Sequence, residues 1–339
     1  MKGTVLVTGA SGFVGGALVA LLASKGLRVR AAYRRAQPPP RLAALAADGV
    51  ELARADLSAE EDVARLARGV SACVHAAALA SDWGSDAAFR AANVETTSRL
   101  ARALEGEGAE RFVLVGSIAV HGFGDHEGSD ETGPYYRPLR HAYARSKLEA
   151  ERVVLALDRP GFGTTCVRLG WVFGPGDEGS TYRMLDAARA GRFGWIGGGC
   201  NRTSMIHVDD ACAALSAALE SPHAGGRAFD AVGDETMAWR ELAALVYEAA
   251  GADGRPRRLP VALARAAAAA LETAYRIAGA GREPPLTRYR VDRSTVEYVF
   301  DSSLAKRLLG WTPRRGIREG LIEAAEAWRR DRGYASALP

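Results

Sequence analysis

Residues 8–15 read TGASGFVG. The apolar run VLV at 5–7 leads into this stretch, and a Leu/Val/Ala-rich segment from Phe13 to Ser24 leaves it. The glycines at 9, 12 and 15 are spaced G-x-x-G-x-x-G between a strand-like and a helix-like segment. Such a turn needs one glycine for the tight bend, one where backbone N–H groups approach a ligand, and one where helix packs on strand. The helix N-terminus then faces the space above the loop, and its unpaired N–H groups favour an anion such as a pyrophosphate. Thr8, Gly9, Ser11, Gly12, Phe13, Val14 and Gly15 are therefore the first candidates for dinucleotide binding.

Outward from this loop, short β-branched runs alternate with Ala/Leu-rich stretches. Strands are predicted over 4–8, 27–33, 50–53, 71–75, 111–115 and 164–169, with helices over 13–24, 59–68 and 86–105. Continuous apolar strands that alternate with helices imply a parallel sheet covered on both faces. The fold class expected is α/β, a doubly wound parallel sheet of Rossmann type with a smaller C-terminal substrate domain. Pro38, Pro39 and Pro40 end the second strand and open a helix. Residues 121–140, rich in Gly, Asp, Pro and Tyr, read as a surface loop. After about residue 175 the alternation loses its regularity, and 205–208 and 228–232 are expected to return to the main sheet. The division predicted is 1–173 with 203–232 for the dinucleotide, and 174–202 with 233–339 for substrate.

Composition narrows the function classes. The 339 residues suggest two domains at roughly 150 residues each. A hydrophobic fraction of 48% and a charged fraction of 25% are those of an ordinary globular chain. The 44 Lys and Arg against 40 Asp and Glu give only +4, without a basic block, so nucleic acid is not an expected partner. Cys73, Cys166, Cys200 and Cys212 form no C-x-x-C pair and have no His cluster, so no metal is expected. They read as reduced, mostly buried thiols of a cytoplasmic protein. No leader is read at the N-terminus. The apolar run Val261 to Ala280 contains Arg265, Glu272 and Arg276, which excludes a spanning helix.

The second strand ends VRAAYRR, with Arg34 and Arg35 where an acid would hold the ribose of NAD. A guanidinium pairs bidentately with a 2′-phosphate, so NADP(H) is the preferred cofactor. The alternative is two solvated arginines with NAD(H) accepted. Farther on, YARSK at 143–147 puts Tyr143 and Lys147 four residues apart, on one face of a helix. A phenol near pKa 10 is a poor base at neutral pH, and a neighbouring ammonium lowers that pKa. The fifth strand ends VGSIAVHG and presents Ser117 at the sheet edge where open α/β folds build their sites.

The glycine spacing, the serine and the Tyr/Lys pair together resemble the extended short-chain dehydrogenase/reductases of the NAD(P)-dependent epimerase/dehydratase superfamily. That resemblance implies that Ser117, Tyr143 and Lys147 are the catalytic trio, with Lys147 also on the nicotinamide ribose. Asp56 and Leu57 resemble the pair that contacts adenine, with a helix N-cap region as the alternative. His75-Ala76-Ala77-Ala78 resembles the motif beside the riboses, and Asn93 in ANVETT resembles the family's structural asparagine. RLGWVFGPGD at 168–177, which includes Val172, resembles a further motif, with Leu169 where proline is common. MIHVDDAC at 205–212 is similar to the family's HV-x-D segment. Many relatives dimerise through two helices, one of them carrying Tyr and Lys, so a homodimer is expected.

Ile118 and Ala119 follow Ser117 where dehydratases of this superfamily carry an acid pair. A nucleotide-sugar 4-epimerase stays open, with Arg202 a candidate for a pyrophosphate pocket. A non-catalytic dinucleotide sensor is the alternative of another class. The segments ASDWGSDAAFRAANVETT and GREPPLTRY look most similar to 3β-hydroxysteroid dehydrogenases and 2-alkyl-3-oxoalkanoate reductases. Both act on a ketone or secondary alcohol in a large apolar molecule. Trp83, Phe123, Trp171 and Trp195 are candidates to wall such a pocket, and His121 and His126 either face substrate or are solvated. The 261–280 segment is open between plain packing, a lid and a weak membrane-surface contact.

Overall fold

The computed structural model describes residues 3–334, so the outermost residues of the two predicted domains, 1–2 and 335–339, lie outside it. Seven strands form one parallel sheet. They are β1 (Thr4–Thr8), β2 (Arg28–Tyr33), β3 (Glu51–Arg54), β4 (Val70–His75), β5 (Arg111–Ser117), then Gly163–Leu169 and Arg227–Ala231. From one edge the order is 227–231, 163–169, β5, β4, β1, β2, β3. The chain winds outward from β1 to β3 and then crosses back to β4, so the order reverses between β1 and β4. The crevice at that reversal, beyond the carboxyl ends of the strands, is where a doubly wound sheet binds its ligand.

Side chains of β1 show why its run is apolar throughout. Val5 and Val7 pack on one face with helix α1 (Phe13–Ser24) and helix Val208–Glu220, while Leu6 packs on the other. That second face is covered by helices Glu60–Ala67, Thr96–Gly106 and Ala142–Leu155. Each fully buried Val or Leu contributes about 1.5–3 kcal/mol, so both layers are needed to hold the sheet.

The predicted helix over 86–105 is three pieces. Asp86–Arg90 and Thr96–Gly106 are α-helical, and Ala91–Glu95 widens into a π turn. Asn93 lies within that turn, its Oδ1 accepting from the Leu79 N–H at 2.7 Å and its Nδ2 donating to Ser146 Oγ at 3.0 Å. A π turn at a place where a side chain is drawn inward is a common association.

Strand Arg227–Ala231 returns to the main sheet as expected, but Arg202–His207 does not. It belongs to a second sheet in the order 236–238, 202–207, 298–300, 126–129, with Trp171–Phe173 also paired to it. Residues 126–129 are thus a strand inside the segment read as a loop, paired with a partner over 160 residues later. Helices Thr181–Arg189, Trp239–Ala250 and Ile317–Arg332 pack around Tyr182 and Trp328 and form the apolar body of the smaller half. Helix Val261–Ile277 buries Ala264 and Ala268 against Val291 and Leu286. Its Arg265, Glu272 and Arg276 do share one side, turned to Asp292, Arg288 and Trp83. Leu263 and Ile277 stay exposed. No helix among the described residues is long and apolar enough to cross a membrane. Cys73, Cys166 and Cys212 are buried and Cys200 is exposed, all four as free thiols.

Candidate active site

One continuous cleft of about 2620 Å³ runs from the glycine loop to the helices of the smaller half. Ligand sites for drug-sized molecules are about 300–1,000 Å³, so this volume has room for a dinucleotide and a further molecule.

At one end, Gly9 adopts φ +67°, and a Cβ there would lie 2.7 Å from the Ala77 nitrogen. A Cβ on Gly15 would lie 2.2 Å from the Gly9 carbonyl oxygen. Neither position accepts a side chain, so β1, α1 and the segment after β4 close tightly beneath the loop. Gly12 caps α1 with no side-chain hydrogen bond and no acid in the first turn. The first N–H groups of α1, on Phe13, Val14 and Gly15, therefore have no side-chain acceptor. This uncapped helix terminus above a glycine cradle fits a pyrophosphate. Ser11 lines the cleft beside it, and Thr8 holds the loop from behind. The Thr8 hydroxyl lies 2.7 Å from His75 Nδ1 and accepts from the Ala77 N–H at 3.2 Å. Burial and the Lys147 charge push His75 down to about 3, so it is neutral.

Arg34 and Arg35 line the same cleft, exposed, with no hydrogen bond or ion pair among the described residues. Asp56 and Leu57 line it after β3, as do Ala76, Ala77 and Ala78 after β4 and Val172 in the strand Trp171–Phe173. The Asp56 carboxylate accepts from the Ser58 N–H and hydroxyl at 2.9 and 2.7 Å, which holds its pKa below the usual range. That leaves the two guanidinium groups as the uncommitted charges at this end.

Ser117, Tyr143 and Lys147 all line the middle of the cleft. Ser117 ends β5, and its Oγ accepts from the Ala119 N–H at 3.2 Å. Lys147 is 6% exposed and donates to the Val115 carbonyl at 2.9 Å, with Nζ 6.0 Å from the centre of the Tyr143 ring. Burial pulls Lys147 down to about 8. The phenol does not follow the expectation that its lysine neighbour lowers it. Burial raises Tyr143 above its ordinary range, and the polarity of the nearby Ser117 hydroxyl and the charge of Arg293 oppose that rise. A protonated phenol beside a serine hydroxyl is a proton donor in position.

The helix carrying this pair is fixed from behind. Ser146 bonds Asn93, and Glu151 takes both Nε and Nη2 of Arg168 at 2.7 Å. Arg168 also reaches Asp230 at 3.5 Å and the Tyr135 hydroxyl at 3.1 Å. His121 belongs to this cluster. It is fully buried, with Nε2 2.8 Å from Asp230 and its ring stacked on Tyr135, so it faces neither substrate nor solvent. His126 is equally buried, 2.9 Å from Ser129 Oγ. Residues 121 and 126 sit in a segment folded over strand 227–231, which their local sequence does not reveal.

On the substrate side, Trp171 and Trp195 line the cleft, and Trp171 stacks on Trp239 at 5.5 Å. Trp83 and Phe123 are not among its lining residues. Trp83 lies beneath Arg276, and Phe123 supports Tyr289 from behind, ring to ring at 4.9 Å. Of the lining residues that were not anticipated, two bear on the trio. Tyr289 and Arg293 come from helix Arg288–Ser294, and the Tyr289 ring is 6.1 Å from that of Tyr143. Tyr289 ends the GREPPLTRY segment, and Arg293 lies beyond every segment singled out in the sequence.

Residues 5–231 match the family model described as NAD dependent epimerase/dehydratase family. The chain belongs to that family. A nicotinamide dinucleotide is its typical cofactor, in keeping with the glycine cradle. This family member is 31% identical over 325 residues to the 2-alkyl-3-oxoalkanoate reductase of Stenotrophomonas maltophilia, covering 94% of this chain and 97% of that protein. It is 30% identical to the 4-hydroxy-2-methyl-3-oxo-4-farnesyl-3,4-dihydroquinoline-1-oxide ketoreductase of Stigmatella aurantiaca, covering 95% of each. The crystal structure of gox2253 superposes with a TM-score of 0.79 at 29% identity, covering 98% of this chain and 99% of the other.

Proposed function

We propose that this chain is an NADP(H)-dependent oxidoreductase that interconverts a ketone and a secondary alcohol. Its substrate is a hydrophobic β-keto or β-hydroxy compound, sterol-like or a long-chain 3-oxoalkanoate. The observation that carries this reading is the presence of Ser117, Tyr143 and Lys147 in the same cleft as the glycine loop. Two relatives near 30% identity, named for a reductase of a 3-oxoalkanoate and a ketoreductase of a farnesylated 3-oxo compound, support it.

The dinucleotide supplies or accepts the hydride. The chain's own residues manage the oxygen and its proton. In the reductive direction the Tyr143 phenol, kept protonated by burial, gives its proton to the ketone oxygen. The Ser117 hydroxyl orients that oxygen. Lys147, anchored on the Val115 carbonyl, holds the ribose hydroxyls and returns positive charge toward the phenol as it gives up its proton. Arg34 and Arg35 hold a 2′-phosphate, and the apolar walls at Trp171 and Trp195 exclude water from the reacting carbon.

The test is nicotinamide absorbance at 340 nm with NADPH and then NADH, over a panel of apolar 3-oxo compounds. Consumption matched by alcohol product, faster with NADPH, is expected. A sugar nucleotide converted with no net nicotinamide change would replace this reading with a 4-epimerase. Dinucleotide binding without turnover of any substrate would replace it with a sensor.

A further inference from the structure

Arg293 is a half-buried charge on the cleft, where Arg192, Arg257 and Arg258 are exposed and likewise unpaired among the described residues. The Arg293 guanidinium carbon lies 4.3 Å from the centre of the Trp171 ring, on the cleft wall. Among the described residues it makes no hydrogen bond and no ion pair. The acids around it are already committed. Asp82 takes Arg290 and Thr287, both at 2.7 Å. Asp292 takes His141 at 3.1 Å, and Glu283 takes Ser81, Arg183 and Arg290. The Trp171 N–H is bonded to Ser180 at 2.8 Å, so the indole offers the cation only its face. Removing an arginine from water without an anionic partner is costly. Elsewhere in the molecule a buried arginine is matched by carboxylates, as Arg168 is by Glu151 and Asp230.

The position of this charge is informative. Arg293 and Tyr289 lie four residues apart on one helix, hence on one face. Tyr289 is edge-on to Tyr143, and the Arg293 charge is felt at the Tyr143 phenol. An anion held by Arg293 would therefore lie in the same cleft as Ser117 and Tyr143, one helical turn from the Tyr289 ring that meets Tyr143. Phe193, Trp195 and Leu286 also line the cleft and offer apolar surface, interleaved with the exposed Arg192, Arg257 and Arg258.

We infer that Arg293 is the anchor for a carboxylate borne close to the reacting ketone, so that the cleft selects the free 3-oxo acid over its neutral ester. The inference rests on the ketoreductase reading and names the charge state of its substrate. The planar guanidinium presents two N–H donors to the two carboxylate oxygens and so fixes the ketone's orientation as well as its identity. The alkyl remainder of the molecule then lies along the aromatic wall.

The experiment compares a long-chain 3-oxoalkanoate with its methyl ester in wild type, Arg293→Gln and Arg293→Lys. Wild type is expected to favour the acid in kcat/KM by roughly tenfold to hundredfold, the worth of hydrogen bonds to a charged group. In Arg293→Gln that preference collapses toward one, chiefly through KM for the acid, and Arg293→Lys restores part of it. Binding is read independently of turnover by tryptophan fluorescence, because Trp171 lies against the guanidinium. Titration with the 3-hydroxyalkanoate product should perturb wild type and need far higher concentrations in Arg293→Gln. Equal use of acid and ester by wild type, or an equal loss of both in Arg293→Gln, overturns the inference. So does a UDP-sugar that displaces the hydroxy acid and itself depends on Arg293, which would assign the charge to a diphosphate. If neither acid nor ester is reduced but the hydroxy acid still binds through Arg293, the ketoreductase reading fails and the anchor stands.

Discussion

The two sides of helix Ala142–Leu155 differ in how their charges are matched. Behind it, Glu151, Arg168, Asp230 and His121 form a closed set, each within hydrogen-bonding or ion-pair distance of another and each nearly inaccessible to water. In the cleft, Arg34, Arg35, Arg192, Arg257, Arg258 and Arg293 have no protein anion bound among the described residues. The same residue type thus serves two ends. A guanidinium surrounded by carboxylates holds helix Ala142–Leu155 to strand Gly163–Leu169, and one left unmatched at a cleft is available to a ligand. Substitutions on the two sides should therefore separate stability from turnover.

The largest effect is expected in front. Tyr143→Phe should lower turnover by about 10²–10⁴-fold, the usual share of a positioned acid. Unfolding midpoints and NADPH binding should stay near wild type, and near-normal turnover would end the assignment of the proton donor. Behind the helix the order reverses. Arg168→Met leaves Glu151 buried without a partner and Asp230 with His121 alone, and should cost about 3–5 kcal/mol in urea unfolding. Pairing it with Glu151→Leu should recover part of that loss, because the pair's removal is less harmful than its breakage.

A smaller effect separates the cofactors. Arg34→Ala with Arg35→Ala should weaken NADPH roughly tenfold to hundredfold by the loss of charge-assisted hydrogen bonds, and NADH much less. Equal losses in isothermal titration would reject the 2′-phosphate contact. The smallest is a pH dependence from the rear cluster. Glu131 accepts from the Asp230 N–H at 2.7 Å, and burial raises its carboxyl to about 7. A folded-state pKa above the unfolded value near 4.5 means that the native chain binds more protons between these two values. This group's contribution is therefore complete below about 4.5 and lost as pH rises through about 7. Glu131→Gln should flatten thermal stability across that window, and an unchanged slope would show that another group carries it.

The nucleotide half was legible because its chemistry is local. Gly9, Gly12 and Gly15 act within one turn, and Tyr143 and Lys147 within one helical repeat, so spacing alone places them. The strands of the main sheet could be read to within a residue or two because its central members, such as β1 and β5, are apolar and buried on both faces. What escaped depends on distant partners. His121 is set by Asp230, the strand 126–129 by residues 298–300, and the sheet membership of 202–207 by its pairing with 236–238. Arg293 stands in TRYRVDRS, one of three arginines in a short run. Its neighbours Arg288 and Arg290 find carboxylates and it does not, a distinction that exists only in three dimensions.

The exposed thiol of Cys200 has a practical use. It follows the Gly197–Gly199 turn, where a Cβ on Gly199 would lie 2.4 Å from the indole of Trp195. With the other three sulfhydryls shielded, a maleimide dye would attach at this one position in the native chain. The fluorophore would then ride on the tryptophan that walls the binding channel. Comparing its emission with and without a cleft ligand would test whether occupancy is felt at this turn, without altering a single codon.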